Sequence, residues 1–221
     1  MEKTAIILGA TGLTGSILLE KLLKDERYKT IKLFSRKKID GLPLKVIQYT
    51  EDIINLETFK SYFKADEVFC CIGTTAKKTP DKTIYKNIDY GIPVAAAKLA
   101  KANNISTFIV VSALGANVKS SIFYNKTKGE MERDVLQQNI KNTYILQPSI
   151  IGGNRTETRI AEKIGLTIFK FIQLLFIGKL KKYRIIEAET IAQAMVNLTN
   201  TKPSKENRIT SDKIKEIVKN K

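Results

Sequence analysis

The chain has 221 residues, with 38 Lys and Arg against 22 Asp and Glu, a formal charge of +16, and no histidine. A single large domain with a well-buried core is expected at this length, and the lack of His excludes a His-ligated metal centre, leaving acid–base work to Tyr, Lys, Cys or carboxylates. The basic residues are 31 Lys and only 7 Arg, spread over the whole length, so no dedicated nucleic-acid site is expected: bidentate contacts to bases and phosphates select Arg.

Met1-Glu2-Lys3-Thr4 leads directly into an apolar run without a signal-peptide pattern, and nowhere do some eighteen uncharged apolar residues follow one another. A soluble, cytoplasmic protein is expected, without a membrane partner. The first strand, Thr4 to Ala10, delivers the backbone to Gly9-Ala10-Thr11-Gly12-Leu13-Thr14-Gly15, and an amphipathic helix follows from Leu13 to Leu23. This G-x-x-G-x-x-G turn permits close backbone approach and exposes helix N–H groups, which suits a pyrophosphate. Gly9, Thr11, Gly12, Leu13, Thr14 and Gly15 are therefore candidate cofactor contacts.

Further short β-branched runs are Thr30 to Arg36, Leu44 to Tyr49, Val68 to Ile72, Phe108 to Ala113 and Thr143 to Leu146, separated by helical patterns such as Asn55 to Phe63, opened by an Asn cap, and Gly91 to Ala102. The alternation predicts an α/β fold of the Rossmann type, a doubly wound, mainly parallel sheet with helices on both faces. Such sheets bind ligands beyond the carboxyl ends of their strands. After the second strand, Ser35 and Arg36 stand where an acidic residue would hold the ribose 2′-hydroxyl of NAD; a hydroxyl and a guanidinium suit a 2′-phosphate, so NADP(H) is preferred and NAD(H) is the alternative cofactor. Asp52 and Ile53 follow the third strand and are assigned to the adenine. Cys71-Ile72-Gly73-Thr74 ends the fourth in a small, close-approach turn and supplies further candidate cofactor contacts, with Cys70 and Cys71 on opposite faces as unbridged core thiols.

The fifth strand ends at Ser112, and twelve residues later Tyr124-Asn125-Lys126-Thr127-Lys128 places a phenol and an ammonium on one helical face, where the cation favours the ionised phenol. Pro148, Ser149, Ile150 and Ile151, after the sixth strand, are candidates for the nicotinamide end. Ile164, Ile168, Phe171, Ile172, Leu175 and Phe176 share a helical face, interrupted by Lys170 and Gln173 and followed by Lys179, Lys181, Lys182 and Arg184. A small C-terminal substrate lobe or a subunit contact is the expected use. The division is then a cofactor-binding core over 1–151, the lobe over 152–186 and closing helices over 187–221, including Glu189 to Leu198 and a last helix capped by Ser211.

Together the glycine turn, Ser112 and the Tyr124/Lys128 pair resemble the extended or atypical short-chain dehydrogenase/reductase superfamily. Phe69-Cys70-Cys71-Ile72-Gly73-Thr74-Thr75 and Tyr124-Asn125-Lys126-Thr127-Lys128-Gly129-Glu130 look like its Tat-interacting-protein (HTATIP2) branch with its bacterial relatives, over nearly the whole chain. The resemblance implies Tyr124 as acid–base residue, Lys128 as its tuner and ribose contact, and Ser112 bonding the reacting oxygen. Asn87 resembles the helix-start Asn of extended members. Gln147-Pro148-Ser149 departs from the Arg-Pro-Gly common in relatives. The implied function is an NADP(H)-dependent oxidoreductase moving hydride between nicotinamide and a carbonyl or hydroxyl of an unknown small-molecule substrate. The alternatives are an NADPH-binding regulator or scaffold with a protein partner, and a nucleoside-diphosphate-sugar epimerase-like enzyme. A homodimer is compatible with each.

Overall fold

The computed structural model describes residues 2–50, 52–152, 176–200 and 207–219. Seven parallel strands form the main sheet: β1 (Lys3–Leu8), β2 (Tyr28–Ser35), β3 (Val46–Thr50), β4 (Glu67–Cys70), β5 (Thr107–Val111), β6 (Asn142–Gln147) and, after a two-stranded pair of β7 (Ile151–Gly152) and β8 (Ile186–Glu187), a short β9 (Arg208–Thr210). Their order is β3-β2-β1-β4-β5-β6-β9. The chain winds outward from β1 to β3 and then returns to pair β4 with β1, Leu8 facing Cys70 in register. That reversal opens a crevice at the carboxyl ends of β1 and β4, where doubly wound sheets bind ligands.

The strands are apolar on both faces because both are covered. Ala5 and Ile7 of β1, with Ile31, Leu33, Phe69, Ile109 and Leu146, pack under helix α1 (Leu13–Lys24) and the C-terminal helices. The intervening Ile6 and Leu8, with Phe34, Val68, Phe108, Val110 and Ile145, pack under the opposite layer. Full burial of a side chain such as Leu18 or Leu22 contributes about 1.5–3 kcal/mol.

That opposite layer is a 3₁₀ segment over Ile53–Phe59, a helical stretch of α2 (Lys82–Lys86), a π turn (Asn87–Gly91) and α3 (Ile92–Ala102), and α4 (Phe123–Leu136). The π turn has a cause in the sequence. Pro93 has no N–H for the Asp89 carbonyl four residues back, and its ring presses on that carbonyl. The helix widens there, so Ile92 N–H reaches Asn87 instead. The C-terminal helices are α5 (Ala188–Leu198) and α6 (Ser211–Lys219).

Several boundaries differ from expectation for local reasons. The first strand stops at Leu8 because Gly9 turns to φ +86°. Asp52, not Asn55, caps the helical turn after β3: its Oδ1 accepts the Ile54 N–H at 3.0 Å, and Asn55 is non-helical. Ser211 lies inside the last helix, and its hydroxyl accepts the Ser149 N–H at 2.7 Å. The polar loop Asn154 to Thr158 and most of the apolar face from Ile164 to Leu175, hence most of the expected substrate lobe, lie outside the described residues.

Candidate active site

The glycine turn is a sterically dictated cradle. A Cβ on Gly15 would sit 2.1 Å from the Gly9 carbonyl oxygen, and one on Gly9 would press to 2.9 Å on the Cys71 backbone. Gly12 precedes α1 without a side-chain cap, and the helix has no acidic residue in its first turn but Lys21 and Lys24 in its last. The leading N–H groups and positive dipole end are left to an external anion.

From this cradle a cavity of about 1120 Å³ runs along the strand ends to α4. It is lined by Thr11, Gly12, Leu13, Thr14, Cys71, Ile72, Gly73, Thr74, Ser112, Tyr124, Lys128, Pro148, Ser149, Ile150 and Ile151, all expected from sequence, while Gly9 and Gly15 build the turn beneath. The residues fit a pyridine dinucleotide: an uncapped helix end for its pyrophosphate, glycines where a Cβ would collide, and room for the rest of the molecule.

Four expected contacts are elsewhere. Ser35 is buried and its hydroxyl donates to the Lys37 carbonyl at 2.7 Å, shaping the turn after β2; Arg36 beside it is exposed but outside the cavity wall. Asp52 is the helix cap described above. Ile53 is a core residue against Phe34 and Phe59.

Tyr124 lies in the first turn of α4, is 39 % exposed, and borders the cavity. One turn on, Lys128 is buried, and its ammonium is 2.7 Å from Asp89 Oδ1, with both side chains almost wholly out of solvent. Asp89 Oδ2 accepts the Thr74 N–H at 2.7 Å. Burial works against the Lys128 charge, but Asp89 and Tyr124 more than offset it and hold the ammonium above the ordinary lysine value. For the Tyr124 phenol, burial raises the pKa, Lys128 lowers it and Asp89 raises it again, leaving it above the usual tyrosine value. The cation is in place, but its pull on the phenol is offset.

Asp89 was not legible as a site residue. Asn87, its neighbour in the motif, opens the π turn, is exposed and does not line the cavity. The signal for Asp89 was an acid four residues before a helical proline, where a widened turn displaces it inward. Ser16, Thr75, Lys77, Lys78, Val111 and Ala113 also line the cavity.

Ser112 reaches the cavity wall, yet its hydroxyl donates to Glu132 Oε1 at 2.6 Å. Glu132 is fully buried and also accepts from Gln147 Nε2 at 2.9 Å and Arg208 Nε at 2.7 Å. The donor role to a reacting oxygen implied by resemblance is not what this geometry gives Ser112. Gln147 supports Glu132 by donating to its carboxylate.

Residues 9–165 match a family described as NAD(P)H-binding. The chain is 34 % identical to the mitochondrial protein FMP52-1 of Scheffersomyces stipitis over 88 % of its length and 87 % of that protein. It is 29 % identical to protein HTATIP2 of Rattus norvegicus, over 76 % of this chain and 71 % of that one. The fold is similar to a crystal structure of UDP-glucuronic acid 4-epimerase from Bacillus cereus in complex with NAD, with a TM-score of 0.67 at 15 % identity, covering 93 % of this chain and 77 % of that one. The expected cytoplasmic location is overturned, since curated relatives at 34 % identity are mitochondrial by name. The absence of a signal-peptide pattern bears on secretion and was the wrong basis for that expectation. With a Rossmann-type sheet, an uncapped glycine turn ahead of α1 and a family match over residues 9–165, the chain belongs to the NAD(P)H-binding family and is a homologue of HTATIP2.

Proposed function

We propose that the protein is an NADP(H)-dependent oxidoreductase acting on a carbonyl or hydroxyl of a small molecule. The observation that carries this reading is the placement of Tyr124 and Lys128 on one face of α4, at a cavity that starts on the Gly9–Gly15 cradle. A bound nicotinamide supplies or accepts the hydride, two electrons and a proton's worth of hydrogen at the substrate carbon. Tyr124 exchanges the proton with the substrate oxygen, and Lys128 holds the phenol's electrostatics and the ribose. Exposed Arg36 is the residue for a 2′-phosphate, with Ser35 as a turn former. In this reading the chain is one domain, 152–186 contributes the substrate side and 187–221 closes the fold.

A second reading, an NADPH-binding regulator without turnover, is favoured by one observation: the Ser112 hydroxyl proton is committed to Glu132. Fluorescence titration with NADPH and NADH, followed by a screen of carbonyl compounds for NADPH oxidation, tests both. Tight NADPH binding with turnover is the expected result. Binding without turnover on any carbonyl class supports the regulator, and no binding of either nucleotide removes both.

A further inference from the structure

The best-built feature beside the glycine cradle is the buried pair of Asp89 and Lys128. The carboxylate is delivered by the π turn, and both its oxygens are used, Oδ1 by Lys128 Nζ and Oδ2 by the Thr74 N–H, each at 2.7 Å. The residues are 1 % and 3 % exposed. A Cβ on Gly73 would lie 3.6 Å from Asp89 Oδ1 and 3.9 Å from Lys128 Nζ, so this glycine sits against the pair at the cavity wall, which Asp89 and Lys128 both help to line.

The charges decide what such a pair does to Tyr124. With a lone buried Lys128, the group of phenol and ammonium carries one positive charge, and losing the phenol proton makes it neutral. With Asp89 present the group is already neutral, and the same loss leaves a net negative charge in a poorly solvated place. The other titratable groups facing it do not restore the balance. Cys70 of β4 is a thiol that burial pushes up to about 11, and Tyr85 of α2 is a phenol that burial and then Asp89 hold protonated. Lys77 and Lys78 belong to the outer loop of the cavity wall.

Building on the oxidoreductase reading, we propose that Asp89 is the fixed counter-ion of Lys128 and a positioning residue that keeps Tyr124 a proton donor, so that the site works as a carbonyl reductase. With a reduced nicotinamide bound, the carbonyl carbon would gain a hydride as its new C–H bond, the C=O π pair would move to oxygen, and Tyr124 would give that oxygen its proton to complete the alcohol. The phenolate is then reprotonated from water. Alcohol oxidation needs the phenolate before the reaction, and Asp89 makes that form scarce at neutral pH.

The test needs neither substrate nor cofactor. Alkaline titration of tyrosinate absorbance, parent minus Tyr124→Phe, isolates the Tyr124 phenol. Its midpoint is expected above the ordinary value of about 10, and Asp89→Asn is expected to lower it by about one unit, a tenfold change in the proton concentration at half-ionisation. A parent midpoint at or below the ordinary value overturns the proposal, as does an Asp89→Asn midpoint that stays in place. If Asp89→Asn does not fold, Asp89→Ser takes its place in the same titration, and an unmoved midpoint overturns the proposal in the same way. A purely structural Asp89 lowers stability without moving the midpoint. NADPH titration of the unmodified protein separately tests the oxidoreductase reading, so the two failures are distinguishable.

Discussion

Ser112 Oγ donates its single proton to Glu132 Oε1 across 2.6 Å, linking the end of β5 to a carboxylate buried between α4, β6 and β9. Three side chains donate to Glu132, and replacing the carboxylate with an amide removes the charge and turns one of its two acceptor oxygens into a donor. Glu132→Gln is expected to cost about 1–3 kcal/mol of stability, measured by urea unfolding. Arg208 is about half exposed, so its pairing is screened, and Arg208→Met is expected to cost about 1 kcal/mol or less.

The three glycines of the turn are expected to respond in order of crowding. Gly15→Ala puts a Cβ 2.1 Å from backbone oxygen, Gly9→Ala puts one at 2.9 Å on top of a φ of +86°, and Gly12→Ala puts one at 3.3 Å. Overpacking of this kind costs about 1–3 kcal/mol where the backbone must shift. Thermal unfolding and NADPH titration should show severe loss for Gly15→Ala and Gly9→Ala, and the mildest loss for Gly12→Ala.

Tyr124→Phe removes the phenol that the proposed mechanism uses for proton exchange but keeps the ring bordering the cavity. Turnover is expected to fall at least about a hundredfold, while NADPH affinity stays within about twofold by fluorescence. Equal loss of both would make Tyr124 a structural residue.

Arg36→Ala tests cofactor choice. The side chain is exposed and no core contact depends on it. NADPH affinity is expected to fall about tenfold, the scale of one charge-assisted contact, with NADH affinity unchanged. Equal effects on the two nucleotides would remove the 2′-phosphate assignment.

Alkaline stability follows from buried neutral acids. Burial raises the Cys70 thiol to about 11, and it raises the phenols of Tyr28 and Tyr85, helped by Glu67 and Asp89 respectively. Folded values above unfolded ones mean that the unfolded chain loses protons first. Their contribution is therefore complete below about pH 9 and is lost as pH rises towards the folded values, at about 1.4 kcal/mol per pH unit for each group. Urea midpoints should be level up to about pH 8 and fall steadily beyond about pH 9.

How much was legible depended on the range of the interaction. Gly9, Gly12 and Gly15 act within seven residues of one another, and the strand alternation of β1 is local, so both were readable. Tyr124 and Lys128 lie one helical turn apart and were placed correctly on one face of α4. Ser35 and Ile53 were misread because position after a strand does not say which way a side chain points: one closes a turn and the other packs on Phe34. The short β9 lacks the apolar run that marks a strand and exists through pairing with β6.

The sequence by itself determined the parallel α/β order, the glycine turn and the phenol–ammonium face, because steric limits and helical periodicity operate between near neighbours. Only the tertiary structure decided which groups surround that face. Asp89 reaches Lys128 because a proline-widened turn on one helix packs against another, and Glu132 accepts the Ser112 hydrogen bond because the fold brings α4 beside Ser112, Gln147 and Arg208. Buried charges must find partners wherever packing places them, and those partners are set by the whole fold.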